Sequence, residues 1–182
     1  MEKDIELIPL REEHLETVRN WRNSREVSAF MYTDSHITPS EQLGWYGRIS
    51  SDPTCRYWII SYENRPLGVV SVTEISRVFD SCFWAFYLGD SSVRGAGIGA
   101  KVEYNILKYV FEDLGLNKLR CEVFTFNEKV ISMHEKFGFR REAYYREHVC
   151  KGGVYHDVVG LAMLKREWEQ LKDYHYNRIY NR

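Results

Sequence analysis

Arg94-Gly95-Ala96-Gly97-Ile98-Gly99-Ala100 decides how this chain is read. The stretch follows residues 82–88 (CFWAFYL), which have the aromatic, apolar composition of a strand, and it opens a helical run to about Leu114. Its glycines let backbone approach a ligand closely, and the free N–H groups and dipole of a helix start attract phosphate. The competing reading is a glycine turn that lets helix and strand pack tightly. A Walker loop would close on Gly-Lys-Ser/Thr, which Gly99-Ala100-Lys101 does not supply. A dinucleotide-binding fold would carry its glycine turn after the first strand of a parallel sheet, whereas four strands precede this one.

Upstream of the loop, residues 4–9 (DIELIP) read as a strand, and Arg11 to Trp21 as a helix with Leu15, Val18 and Trp21 near inward spacing. A short helix over 25–30 follows the break at Asn23-Ser24. Thr38-Pro39-Ser40-Glu41 has the chemistry of a capping box with proline at the first helical position, so a helix should run to about Ser51. Residues 55–62 and 66–73 form a hairpin across Glu63-Asn64-Arg65. Downstream, Gly115 ends the loop's helix, 118–124 (KLRCEVF) is a strand, 128–137 is a helix ended by Gly138, and 139–149 and 154–164 pair across Lys151-Gly152-Gly153. The expected architecture is α/β (α+β), a mixed, mostly antiparallel central sheet of about seven strands with helices on both faces, in a single domain over residues 1–166. Residues 167–182 read as a polar, Tyr- and Arg-rich tail leaving the core, a short helix and then disordered chain. Its Tyr174-His175-Tyr176 and Arg178-Ile179-Tyr180 clusters could meet a neighbouring subunit of a homodimer.

Composition narrows the function classes. The chain has 182 residues, 44% hydrophobic and 28% charged, with a net charge of −1 and no long basic run. That argues against a general nucleic-acid binder. The start MEKDIELIPL lacks the basic end and apolar run of a signal peptide, and no stretch approaches the roughly 20 apolar residues of a membrane span. A cytoplasmic protein with no membrane partner is expected. Cys55, Cys82, Cys121 and Cys150 are widely spaced, which reads as free thiols rather than a disulfide framework or a metal site.

The segment Asn127-Glu128-Lys129-Val130-Ile131-Ser132-Met133-His134-Glu135-Lys136-Phe137-Gly138-Phe139 lies about thirty residues beyond the glycine loop. With the R-x-x-G-x-G pattern from Arg94 to Gly99, it resembles the two signature motifs of the GNAT superfamily of acetyl-coenzyme A-dependent N-acetyltransferases. That resemblance implies the GNAT fold and acetyl-CoA as cosubstrate. The amides of Arg94, Gly95, Ala96, Gly97, Ile98, Gly99 and Ala100 would wrap the coenzyme A diphosphate. Leu88, at the end of the preceding strand, and Asn127 and Lys136 would also meet the coenzyme. His134 stands where the family commonly has a tyrosine that protonates the departing thiolate; histidine can fill that role near neutral pH, and a packing or coenzyme-contacting histidine is the alternative.

The transfer requires a deprotonated amine and a donor for the carbonyl oxygen, most simply a backbone N–H near Tyr87 or Leu88. It needs no metal. Candidates for the base are Glu122, Glu74 and Ser71, the last two through water or as substrate positioners. Glu122 alternates with Cys121 and Val123, so it faces the other side of its strand. It can line a cleft or lie on a strand edge. Tyr87 can serve the site or fill the core.

The N-terminal third decides the acceptor. Trp21-Arg22-Asn23, Phe30-Met31-Tyr32-Thr33, G-V-V-S-V-T over 68–73 and L-R-C-E-V-F over 119–124 resemble the N-acetyltransferases of bacterial pseudaminic acid biosynthesis. Those enzymes act on the 4-amino group of a UDP-linked 4-amino-4,6-dideoxy sugar. The resemblance implies that Arg22, Asn23, Met31 and Tyr32 line a nucleotide-sugar site, with Ser71, Tyr87 and Glu122 near the amine. The main alternative is a ribosomal-protein N-terminal acetyltransferase, which shares the loop and the closing Leu161-to-Trp168 pattern. A small polyamine, amino acid or drug acceptor is a further one, and an acyl-CoA-binding sensor without catalysis is the reading from another class.

Overall fold

In a computed structural model, which describes residues 5–93 and 97–181, the strands form one mixed seven-stranded sheet in the order β1-β2-β3-β4-β5-β7-β6. The strands are β1 (Glu6–Pro9), β2 (Arg56–Tyr62), β3 (Arg65–Ser76), β4 (Ser81–Leu88), β5 (Lys118–Phe124), β6 (Arg140–Lys151) and β7 (Val154–Leu164). The helices are α1 (Leu15–Asn23), α2 (Arg25–Ser28), α3 (Pro39–Ser51), α4 (Ile98–Lys108), α5 (Glu128–Phe137) and α6 (Lys165–Tyr180). The chain divides into two compact units. One is Met1–Ile75 with Ala85–Ile98, the other Ser76–Trp84 with Gly99–Arg182.

In the first unit, β1, β2 and β3 are joined antiparallel. The β2–β3 hairpin turns on Glu63 and Asn64, whose φ values of 51° and 61° give the left-handed two-residue turn that suits a twisted hairpin. Thr38 and Glu41 close the expected capping box at the start of α3: Thr38 Oγ1 accepts from the Glu41 N–H at 3.3 Å, and Glu41 accepts from the Thr38 N–H at 2.8 Å. Val18 of α1, Ile59 and Val69 form a buried cluster, and Trp21, Tyr57 and Tyr87 pack against it. Trp21 also fixes the course of the chain after β4. A Cβ at Gly89 would lie 2.1 Å from its ring, so only glycine fits there.

In the second unit, β4 and β5 run parallel and pair over Ser81–Lys118, Cys82–Leu119 and Phe83–Arg120. Strand β5 pairs along its whole length with β7, and β7 with β6, both antiparallel. Helix α5 begins and ends where its sequence indicates, because Gly138 takes φ 102° and its N–H caps the helix through the carbonyls of Glu135 and His134.

The C-terminal segment requires a correction. Residues 167–182, expected to leave the core as a tail, belong mostly to the sixteen-residue helix α6, whose Trp168 and His175 are buried. Trp168 Nε1 donates to Glu112 at 3.1 Å, and the His175 ring stacks on Phe137 at 4.5 Å with Nε2 3.0 Å from the Phe137 carbonyl. Two large rings removed from water, each with a polar partner, hold this otherwise polar helix on the core.

Candidate active site

The glycine loop meets its helix as the sequence indicates. Arg94, Gly95 and Ala96 lie outside the described residues. Gly97 takes φ 79°, and a Cβ built on it would meet nothing within 4 Å, so the backbone there borders open space. Ile98 is buried and anchors the first turn of α4, with Gly99 and Ala100 half-buried beside it. No acidic residue occupies that first turn. An eleven-residue helix with no acidic residue in its first turn, preceded by an open left-handed glycine, fits a diphosphate on electrostatic and steric grounds.

Gly68 on β3 sets the position of the end of β4. A Cβ there would lie 2.1 Å from the Tyr87 carbonyl oxygen and 2.9 Å from the Leu88 Cα. The Gly89 and Asp90 N–H groups both donate to the Leu67 carbonyl, at 2.9 and 3.0 Å. The backbone of Tyr87 and Leu88 is thereby held against β3 at a separation only glycine permits.

Around this backbone the first unit gathers Arg22, Tyr57, Ser71 and Tyr87. Tyr57 sits opposite Ser71 in the β2–β3 register, so the two side chains share one face of the sheet. Ser71 Oγ donates to the Ala85 carbonyl at 3.4 Å. The Arg22 guanidinium donates to Thr33 Oγ1 at 3.0 Å and lies beside Tyr87 and Tyr57. Burial pushes its pKa down, and the two phenols oppose that shift. Burial raises both phenols, with Arg22 pulling each back. Among the described residues Arg22 has no carboxylate partner. A half-buried guanidinium whose near neighbours are neutral phenols can take an anion to complete its shell.

The other residues of the predicted acceptor site differ in what they offer. Asn23 uses its whole amide on Ile37, donating to that carbonyl at 2.9 Å and accepting from that N–H at 2.8 Å. It therefore clamps the loop between α2 and α3. Met31 is half-buried, Tyr32 is 41% exposed, and Glu74 is exposed at a left-handed kink in β3 with φ 52°.

In the second unit, Glu122 is half-buried on β5 opposite Gly160 of β7, while Cys121 and Val123 turn into the core. Asn127 precedes α5 without a side-chain cap bond, and its carbonyl accepts from the Val130 and Ile131 N–H groups. Lys136 is exposed on α5.

His134 is only 3% exposed, and its Nδ1 is 2.8 Å from Oε1 of Glu103, which is fully buried on α4. Cys121 of β5 lies beside the same ring. Trp84 meets the ring edge-on at 5.3 Å, and Phe139 lies at 5.3 Å. Burial alone would lower the imidazole, but the Glu103 carboxylate and Cys121 outweigh it and raise the ring to about 10. Burial raises the Glu103 carboxyl, and His134 opposes that rise. Both shifts describe a pair that retains one shared proton well above neutral pH.

Sequence reading missed Glu103 and Tyr57. An acid within an amphipathic helix reads as its solvated face, and a tyrosine in an aromatic strand reads as core. The cross-strand partnership with Ser71 could have drawn attention to Tyr57 once the hairpin register was fixed.

Residues 4–140 match the family described as Acetyltransferase (GNAT) domain. The chain is 26% identical over 130 residues to acetyltransferase PseH of Campylobacter jejuni, covering 71% of this chain and 79% of that protein. It is 22% identical over 164 residues to the spermidine N(1)-acetyltransferase of Escherichia coli K12, covering 90% and 88%. Over 108 residues it is 29% identical to the putative ribosomal N-acetyltransferase YdaF of Bacillus subtilis, covering 59% and 58%. Among solved structures, spermidine N-acetyltransferase from Vibrio cholerae in complex with CoA and spermine superposes with a TM-score of 0.85 at 22% identity, over 91% of this chain and 98% of that one. The chain belongs to the GNAT acetyltransferase family and is an N-acetyltransferase that uses acetyl-CoA.

Proposed function

We propose that this enzyme acetylates the 4-amino group of a UDP-linked 4-amino-4,6-dideoxy sugar. The observation that carries this reading is Arg22, a half-buried guanidinium with Tyr57, Tyr87 and Thr33 around it and no carboxylate partner among the described residues. A nucleotide diphosphate supplies the missing negative charge, and tyrosine rings suit the flat uracil or the sugar. A polyamine carries charge of the same sign and would be repelled. The resemblance of the Trp21-Arg22-Asn23 and Phe30-Met31-Tyr32-Thr33 segments to the pseudaminic acid enzymes supports the same choice.

Acetyl-CoA supplies an activated thioester to the acceptor amine. The chain's own part is positional and electrostatic. The Gly97 turn and the start of α4 hold the diphosphate of the coenzyme. The backbone at Tyr87 and Leu88, fixed by Gly68, holds the chain that carries the thioester and offers an N–H to the carbonyl oxygen as charge develops. Glu122 accepts the proton of the amine, and Ser71, opposite Tyr57 on the sheet, orients the sugar with Tyr87. His134 returns a proton to the departing thiolate.

The test is calorimetric binding of UDP and of spermine to the wild-type protein and to Arg22→Gln. UDP should bind the wild type and weaken roughly 10- to 100-fold in the variant, the range expected for one charge-assisted hydrogen bond. Spermine binding that competes with no UDP signal at all would reject the nucleotide-sugar acceptor.

A further inference from the structure

We propose that Glu103 is a positioning residue for proton delivery: through its bond to His134 Nδ1 it fixes the imidazole and keeps it charged, ready to protonate the coenzyme A thiolate. This rests on the reading of His134 as the acid and extends it to a residue with no motif of its own. The geometry carries it. Glu103 Oε1 is 2.8 Å from Nδ1, both side chains are withdrawn from water, and Oε2 has no hydrogen-bond partner among the described residues. A carboxylate this buried, with a single hydrogen bond, holds its charge only beside a cation.

An ordinary histidine titrates near 6.5, so at working pH most of it would be neutral and without the proton to give. Paired with Glu103, the ring stays charged up to the range where a thiol itself ionises, about 8.5. The ring then carries a proton throughout the working range, which a general acid must have in order to give it. With Nδ1 committed to Glu103, the transferred proton is the one on Nε2. That N–H bond breaks as the S–H bond forms, leaving neutral imidazole beside Glu103, while the proton lost by the amine goes to the base. The groups that face the pair are Cys121 from β5, beside the ring, and Arg178 from α6, which acts on Glu103. Trp84 and Phe139 add uncharged walls.

The experiment follows the His134 Cε1–H resonance through a pH titration of the wild type and Glu103→Gln. It also measures kcat against pH for both and for His134→Phe, using whichever of a UDP-linked 4-amino sugar, spermidine and an N-terminal peptide turns over. The wild-type resonance should show no inflection between about pH 6 and 9, whereas Glu103→Gln should titrate near or below 6.5. Its kcat at pH 8 should fall about 100-fold, with the loss shrinking toward pH 6 and the KM for acetyl-CoA within about twofold of wild type. A wild-type inflection near 6.5 overturns the proposal whatever the kinetics. Unchanged kcat in His134→Phe removes the acid itself and the proposal with it. Loss in His134→Phe with a wild-type profile in Glu103→Gln keeps the acid and removes Glu103.

Discussion

Replacing Gly68 by alanine should damage both stability and coenzyme binding, because one backbone contact underlies both. The new methyl would start 2.1 Å from the Tyr87 carbonyl oxygen, against an ordinary contact of 3.4 Å or more, so β3 and the end of β4 must part by about 1.3 Å. Neither neighbour is a side chain that could swing aside; Tyr87 and Leu88 meet the methyl with backbone atoms. Overpacking of this kind costs about 1–3 kcal/mol. The same displacement moves the backbone proposed to hold the thioester, and a misplacement of about 1 Å can cost roughly 100-fold in rate. Urea denaturation should show a lower midpoint with an unchanged slope, and steady-state kinetics should show a raised KM for acetyl-CoA with a lowered kcat. Gly47→Ala is the control. It lies inside α3 with nothing within 4 Å of the added methyl, and it should stabilise by about 0.5–1 kcal/mol. A Gly68→Ala protein with wild-type midpoint and KM would refute the assigned role of this contact.

The buried pair also sets the alkaline limit of stability. The folded imidazole is raised to about 10 from its ordinary 6.5, so the folded state holds the proton more tightly than the unfolded chain. Its stabilisation is complete below about pH 6.5 and disappears as pH climbs through about 10, and the rise of Glu103 acts in the same sense. Urea midpoints measured at pH 6, 8 and 10 should fall steadily in the wild type and be flatter in Glu103→Gln; a flat wild-type series would contradict the shared proton. Thr38→Ala should cost about 1 kcal/mol by removing the side-chain acceptor at the start of α3, and a change in midpoint too small to measure would show that Glu41 alone sustains the cap.

The parts of the fold legible in the sequence are those where local chemistry and tertiary packing agree. Thr38-Pro39-Ser40-Glu41 specifies a helix start without outside help, and Gly138 can only end α5 where it does, at φ 102°. Strand β5 is bounded as its composition suggests because alternate residues, Leu119, Cys121 and Val123, are buried. Helix α6 was misread because its apolar positions are few and one of its buried rings is a histidine. Trp168, Leu171 and His175 do share one face, but what holds them lies far away in the chain at Glu112, Phe137 and Gly138. Glu103 is the same case at the site: nothing local distinguishes a buried acid from a solvated one until α5 brings His134 to it. Arg22 was legible as a ligand contact, but the neutral phenols that surround it became visible only when Tyr57 and Tyr87 were seen beside it.

The central claim is that this N-acetyltransferase takes an anionic nucleotide-sugar amine. The most direct measurement is coenzyme A release from acetyl-CoA with a UDP-linked 4-amino-4,6-dideoxy sugar, spermidine, and a peptide bearing a ribosomal-protein N-terminus, each at matched concentration. Turnover is expected with the UDP-sugar, lost or greatly weakened in Arg22→Gln, and little with the other two. Turnover confined to spermidine or to the peptide would contradict the proposed acceptor and assign Arg22 and its two phenols another purpose.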